Sequence, residues 1–158
     1  MPADSDGRAP VSLPRTYRPL GTRVVAVAAA TTLVGAVTFL WSMLPGSVRG
    51  EFTVFQRMTV LALFAGILLV LYGLFRTSAR ADESGLRVVN IYKARQLEWP
   101  QVISLSLNPN RPWAMLDLAD GETLAVMAIQ NADGARASRS ARELAAVIAE
   151  RSRTDHDG

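Results

Sequence analysis

The chain has 158 residues, 49% of them apolar, no cysteine and a formal net charge of +3, which leaves room for one small water-facing domain beside its apolar runs. Without cysteine, disulfide frameworks and cysteine-ligated zinc are excluded. From Arg76 to Gly158, 11 Lys/Arg balance 11 Asp/Glu, so this region lacks the basic footprint of nucleic-acid binding.

In chain order, residues 1–23 hold Pro2, Pro10, Pro14 and Pro19 among Ser, Asp and Arg, a composition expected to give a disordered basic tail. Val24 to Leu44 and Met58 to Phe75 then form runs of 21 and 18 residues without one ionisable side chain. As helices they reach about 30 Å, the thickness of a bilayer's hydrocarbon core, and residues 24–44 and 58–75 are expected to be two transmembrane helices. Trp41 and Tyr72 fall at interfacial positions. Ala28 and Gly35 in the first run, and Ala62, Gly66 and Gly73 in the second, place small residues on one face, where two helices can pack closely as a hairpin or against another copy. No intramembrane acid, base or His offers an ion path, so the pair reads as an anchor.

Orientation follows from the flanks, since cytoplasmic flanks collect Lys and Arg. Arg8, Arg15, Arg18, Arg23, Arg76, Arg80, Arg87, Lys93 and Arg95 lie on one side, against Arg49 and Arg57 in the connecting loop 45–57. That distribution predicts a plasma-membrane (inner-membrane) protein of two spans, with both termini cytoplasmic and a short external loop. The first run is too long for a signal-peptide core and is followed by a second span, so cleavage is not expected.

Beyond Arg76 the pattern alternates, with turn signals every eight to twelve residues or so, as in short antiparallel strands. Asp82-Glu83-Ser84-Gly85 reads as a turn between a strand ending near Ala81 and a strand Leu86 to Ile91. Tyr92 to Arg95 reads as a second bend, and Trp99-Pro100 interrupts the ladder. Ile103 to Leu107 alternates, apolar side chains in and hydroxyls out. Asn108 to Pro112 is a loop, and Trp113–Leu118 and Thr123–Ala128 flank an Asp120-Gly121 hairpin turn. Ala137, Ala141, Leu144 and Ile148 then mark one stripe of an amphipathic helix, and Ser140 with Glu143 has capping-box spacing. Residues 76–152 are thus expected to form one domain, with 153–158 frayed. The fold class is α+β: a transmembrane hairpin followed by an antiparallel β-meander of six or seven strands, closed by one C-terminal helix.

A meander closed by one helix, with Asp82-Glu83-Ser84-Gly85-Leu86-Arg87-Val88, Trp99-Pro100-Gln101-Val102-Ile103, Leu118-Ala119-Asp120-Gly121-Glu122 and an Ala/Leu-rich helix, resembles the bacterial pleckstrin-homology-like (PH-like) domains. In particular it is similar to the actinobacterial PH-like family named for a low-molecular-weight protein antigen, across roughly Ala79 to Arg151. The resemblance implies a PH-like fold after two membrane spans, and a Trp99 packed under the sheet.

Catalysis is not expected. The sole His, His156, lies in the terminal tail, no phosphate loop, metal-ligand spacing or cofactor fingerprint appears, and Asp117, Asp120 and Glu122 are accounted for by hairpin chemistry. Two binding classes remain. Protein interaction or assembly, with a membrane or cytosolic protein or a second copy, would use Arg111 and Trp113, residue types favoured at interfaces. Anionic-lipid recognition would use Lys93 and Arg95, placed in the bend where lipid-binding PH domains carry basic residues, each worth about 1 kcal/mol beside an anionic surface. The bilayer itself is the first partner on either reading, and no cofactor is expected.

Overall fold

The computed structural model describes residues 11–154, with side chains to residue 151. The chain forms a strand β1 (Arg15–Tyr17), helix α1 (Leu20–Met43), a short helix α2 (Gly46–Glu51), helix α3 (Val54–Arg76), strands β2 (Ser78–Asp82), β3 (Gly85–Asn90), β4 (Lys93–Leu97), β5 (Val102–Ser106), β6 (Trp113–Leu118) and β7 (Thr123–Gln130), and helix α4 (Ala135–Thr154). Single 3-10 turns at Trp99–Gln101 and Asn131–Asp133 lead into β5 and α4.

Helices α1 and α3, of 24 and 23 residues, are each about 35 Å long and are long and apolar enough to cross a membrane. Only 6% of either apolar window is buried, the reverse of a soluble core helix. They pack side by side, and away from the domain-side ends the residues withdrawn from the surface are Ala26, Ala30, Leu33 and Val37 on α1 and Phe64, Leu68 and Leu71 on α3. This corrects the small-residue stripe as the hairpin seam. Ala28 and Ala62 are exposed, and a Cβ at Gly35 or Gly66 would touch nothing within 4 Å. Both helices begin earlier than the uncharged runs do. In α3, Thr53 Oγ1 accepts from Gln56 N at 3.2 Å while Thr53 N donates to Gln56 Oε1 at 3.0 Å, a capping box that fixes the start at Val54 inside the expected loop. At that end Trp41 meets the Phe52 ring edge-on at 5.8 Å and Arg57 stacks over Trp41.

The strands make two antiparallel sheets, β1-β2-β3-β4 and β5-β6-β7. The expected disordered tail is corrected here: Arg15–Tyr17 pairs with Ala79–Ala81 of β2, so the helical pair is inserted between the first two strands of the domain. The segment 1–10 of that tail and residues 155–158, with His156, lie outside the described residues. Seven strands result among the described residues, four of them on one sheet. Their inner faces supply Leu86, Val88, Leu116 and Val126, and α4 adds Ala137, Ala141, Leu144 and Ile148, the stripe read from the sequence, together with Val147. Tyr17 enters this core from β1.

Local departures from the alternating pattern have local causes. A bulge between Val102 and Ser104 turns Ile103 outward, leaving it 60% exposed although it reads as a core position. The helix α4 starts at Ala135, so Ser140 is one turn inside it and does not cap it; Glu143 instead pairs with Arg15 at 2.7 Å, fastening β1 to α4. The helix also continues through Thr154, past the expected frayed boundary at 153.

Candidate functional site

Two features set this domain apart from a self-contained meander: the joint to the long helices, and the open sheet edge at β4.

The joint is built by two turns. At the first, α1 begins after Pro19 without a side-chain cap of its own. Two of its orphan amides are satisfied from 113 and 112 residues away: Leu20 N and Gly21 N donate to the two carboxylate oxygens of Asp133 at 3.1 and 2.9 Å. A Cβ at Gly21 would lie 2.8 Å from Asp133 Oδ1, so the carboxylate reaches the helix because this residue is glycine. Thr22 Oγ1 adds a 2.6 Å bond to Gln130 Oε1. Asn131, in the same turn, donates through Nδ2 to Asn108 O and Arg111 O at 2.7 and 2.5 Å. The loop carrying Arg111 is therefore braced against the turn that caps α1.

At the second turn, Ile91 and Tyr92 connect β3 to β4 and pack on the last turns of α3. A Cβ at Gly73 would fall 2.5 Å from Ile91 Cγ2 and 2.8 Å from the Tyr92 ring, so glycine permits the contact. Tyr92 OH donates to Leu69 O, seven residues or about 10 Å along the helix from Arg76. Ile91 holds a left-handed φ of 58°, unusual for a β-branched residue, and its N–H donates to Thr77 Oγ1 at 3.2 Å, which itself donates to Gly73 O. The two helix ends are joined to each other as well, since Arg23 Nε donates to Phe75 O at 3.0 Å with its guanidinium 4.2 Å from the centre of the Phe75 ring.

The longer open edge is β4. The outer edge of β7 is closed by Asn90, whose side chain substitutes for a strand: Nδ2 donates to Ala125 O at 2.6 Å and Oδ1 accepts from Met127 N at 3.1 Å. Strand β5 lies against α4. In the four-stranded sheet both β1 and β4 have a strand on one side only, and of the two β4 is the longer, five residues against three. In a hairpin with the two-residue turn Ile91-Tyr92, the Asn90–Lys93 pair exchanges backbone bonds and pairs then alternate, so Ala94 and Gln96 direct their N–H and C=O groups outward. Beside this edge is a cleft of about 400 Å³ lined by Arg95, Gln96, Leu97, Gln101, Leu118, Ala119 and Asp120. Its other polar groups are spoken for: Arg95 Nη2 meets Glu122 Oε2 at 2.9 Å, Asp120 Oδ1 accepts from Glu122 N, and Gln101 Oε1 accepts from Glu98 N. The surface can hydrogen-bond an extended backbone, and it presents no nucleophile with a base beside it.

The residues singled out from sequence are distributed as follows. Lys93 and Arg95 are in strand β4, not in a bend, because the turn is made by Ile91 and Tyr92 two residues earlier. They share a strand face, and the Glu122 carboxylate offsets Arg95. Asp117 accepts from Ser104 Oγ at 2.6 Å, so the three acidic residues of this hairpin each have a bond of their own. Arg111 is exposed in the 107–112 loop, and Trp113 is half-buried at the start of β6, opposite Gln130. Gly73 packs on the β3–β4 turn rather than on α1. Trp99 is buried and donates Nε1–H to Asp82 O at 3.1 Å. The Asp82 carboxylate accepts from Ser84 Oγ, Ser84 N and Gly85 N, and the Ser84 hydroxyl above all holds its pKa below the usual carboxylate range. Burial, then the Glu143 carboxylate, pushes the Tyr17 hydroxyl up. Asp133, Gln130, Thr22 and Gly21 were missed in the sequence, where Asp133-Gly134 signals only a turn and nothing connects it to Leu20.

The comparisons agree with this architecture. The model for a bacterial PH domain matches residues 76–146. An uncharacterized protein of Mycobacterium tuberculosis and one of Mycobacterium bovis are each 39% identical over 124 residues, covering 76% of this chain and 79% of theirs. No solved structure matches. With two sheets of four and three strands closed by a C-terminal helix, a bacterial PH-domain match over residues 76–146, and relatives 39% identical over 76% of its length, this chain belongs to the bacterial PH-domain family.

Proposed function

We propose that the protein is a non-enzymatic, membrane-anchored interaction module: α1 and α3 span the plasma membrane, both termini are cytoplasmic, and the PH-like domain binds a protein partner at the inner face by strand addition to β4. The observation that carries the reading is the longer open edge of the four-stranded sheet, with Ala94 and Gln96 presenting outward backbone groups beside a 400 Å³ cleft, whereas the outer edge of β7 is taken by Asn90 and the opposite edge strand β1 has only three residues. The distribution of Lys and Arg supports the orientation, and the two-turn joint supports a domain held against the bilayer rather than loosely tethered.

Two experiments test it. Reporter fusions after Gly158 should be active in the cytoplasmic format and silent in the external one; the reverse pattern refutes the orientation. Gln96→Pro removes an outward N–H without touching the β3–β4 ladder, so it should abolish a co-purifying partner while the domain keeps its melting temperature. An unchanged set of partners refutes strand addition.

A further inference from the structure

We infer that the β3–β4 turn is a wedge set into the bilayer: the Ile91 and Tyr92 side chains lie below the lipid phosphates of the domain-side leaflet, with Lys93 at phosphate level. The proposal rests on the membrane-anchored reading and is independent of partner binding at the β4 edge. A two-residue hairpin turn in water is usually made of Gly, Asn or Asp, which accept positive φ and leave a polar tip. Here Ile91, at φ 58°, and Tyr92 take those places, so the tip is apolar and aromatic. From Gly85 to Leu97 the hairpin carries Arg87, Lys93 and Arg95 and no acid, and nothing in its charge opposes an anionic leaflet.

Where the turn meets α3 sets its depth. Arg57 and Arg76 bound the uncharged run of that helix and lie 19 residues apart, about 28 Å, close to the thickness of a hydrocarbon core. Gly73, where a Cβ would fall 2.5 Å from Ile91 Cγ2 and 2.8 Å from the Tyr92 ring, is about 5 Å inside Arg76. Leu69, whose carbonyl accepts from Tyr92 OH, is about 10 Å inside it. Both contacts therefore fall within the run that the membrane covers. The Tyr92 side is nonetheless open: the residue is 54% exposed, the same as Tyr72 on α3 itself. A phenol so exposed in water needs no acceptor from the protein, whereas in hydrocarbon its hydroxyl must have one, and the helix carbonyl supplies it. Lys93 follows, exposed and with no ion pair among the described residues, and its long stem lets the ammonium reach the phosphates.

The test uses the full chain in phosphatidylcholine nanodiscs. The sequence has no cysteine, so single-cysteine variants can carry a nitroxide whose depth is read from its accessibility to oxygen and to a water-soluble nickel chelate. The Tyr92→Cys label should lose nickel access and lie about 5–10 Å below the phosphates. The Ser84→Cys label, exposed at the far end of β3 and about 20 Å from the turn, should be freely accessible to nickel. Leu63→Cys, midway along α3 at a residue 65% exposed, reports whether the helix itself is in the bilayer. Because Tyr92→Cys removes the ring that seats the turn, hydroxyl-radical footprinting of the wild-type chain in the same nanodiscs gives a second reading, in which Tyr92 should be protected as strongly as Tyr72; where the two readings differ, the wild-type footprint decides. Oxidation of Tyr92 with Tyr72 protected, or nickel access at the Tyr92→Cys label equal to that at Ser84→Cys without such protection, overturns the wedge and leaves the span in place. Nickel access at Leu63→Cys with oxidation of Tyr72 overturns the membrane reading beneath it, and the wedge with it.

Discussion

Removing the carboxylate of Asp133 should loosen the first turn of a helix more than 100 residues away. That carboxylate accepts from Leu20 N and Gly21 N at 3.1 and 2.9 Å and places a negative charge at the positive end of the α1 dipole. A lost cap costs about 1 kcal/mol, and the charge adds about 0.3–1 kcal/mol, so Asp133→Ala should destabilise the joint by about 1–2 kcal/mol. Hydrogen exchange of the Leu20 and Gly21 amides, followed by mass spectrometry on the full chain, should then be about 5- to 30-fold faster. Asp133→Asn, which keeps one acceptor oxygen and loses the charge, should fall between. Gly21→Ala sharpens the reasoning, because its Cβ would lie 2.8 Å from Asp133 Oδ1 and push the carboxylate away. With Asp133 present the substitution should cost up to about 1 kcal/mol; with Asp133→Ala it should stabilise, since Ala exceeds Gly in helix propensity by up to about 1 kcal/mol. The cycle should therefore show a coupling of about 1–2 kcal/mol. Additive effects, or unchanged exchange in Asp133→Ala, would refute the remote cap.

Further outcomes follow from the same geometry. Gly73→Ala should lower the stability of the joint by about 1–3 kcal/mol through overpacking on Ile91 and Tyr92, whereas Gly35→Ala and Gly66→Ala should be neutral or slightly stabilising; thermal melts of the three variants separate the cases. Tyr17 buries a hydroxyl with no hydrogen-bond partner among the described residues, so Tyr17→Phe should raise stability by about 1 kcal/mol, and a comparable loss in denaturant titration would contradict that assignment. The folded pKa of Asp82 is below its unfolded value, so its contribution is present above about pH 4 and is lost as pH falls through the folded value. Ser84→Ala should move the Asp82 carboxyl titration, followed by carbon NMR, back toward the ordinary range and diminish that acid-side loss.

Much of the fold was legible because it rests on periodicity. Uncharged runs mark the long helices, the Ala137–Ile148 stripe marks the face of α4 that enters the core, and Asp120-Gly121 marks the β6–β7 turn. What escaped depends on contacts distant in sequence. Strand β1 has three residues between prolines, and its partner β2 begins 61 residues after Tyr17, so no local pattern betrays it. The β3–β4 turn carries neither Gly nor Asn; Ile91 takes a positive φ because Thr77 and the Gly73 face of α3 hold it there, which shifted the expected bend by two residues and carried Lys93 and Arg95 with it. The start of α3 is legible in principle, since Thr53-x-x-Gln56 is a capping signal, although the uncharged run itself begins only at Met58. The loop that holds Arg111 and the strand start at Trp113 are legible from the turn residues between Asn108 and Pro112. The open edge belongs to sheet topology, which no single segment announces.

The insertion of the helical pair between β1 and β2 has a bearing on how the protein is made. At 5–20 residues per second or so, several seconds separate synthesis of β1 from synthesis of the strand it pairs with, and on the membrane-anchored reading both helices must be integrated in that interval. The first sheet then closes only across a correctly inserted hairpin, which makes completion of the domain a record of successful insertion. By the same logic, a fragment beginning at Ser78 carries six of the seven strands, with the β2 edge bare and the place of Tyr17 empty. A water-soluble version that reproduces the domain needs Val11 to Arg18 joined by a short flexible linker to Thr77.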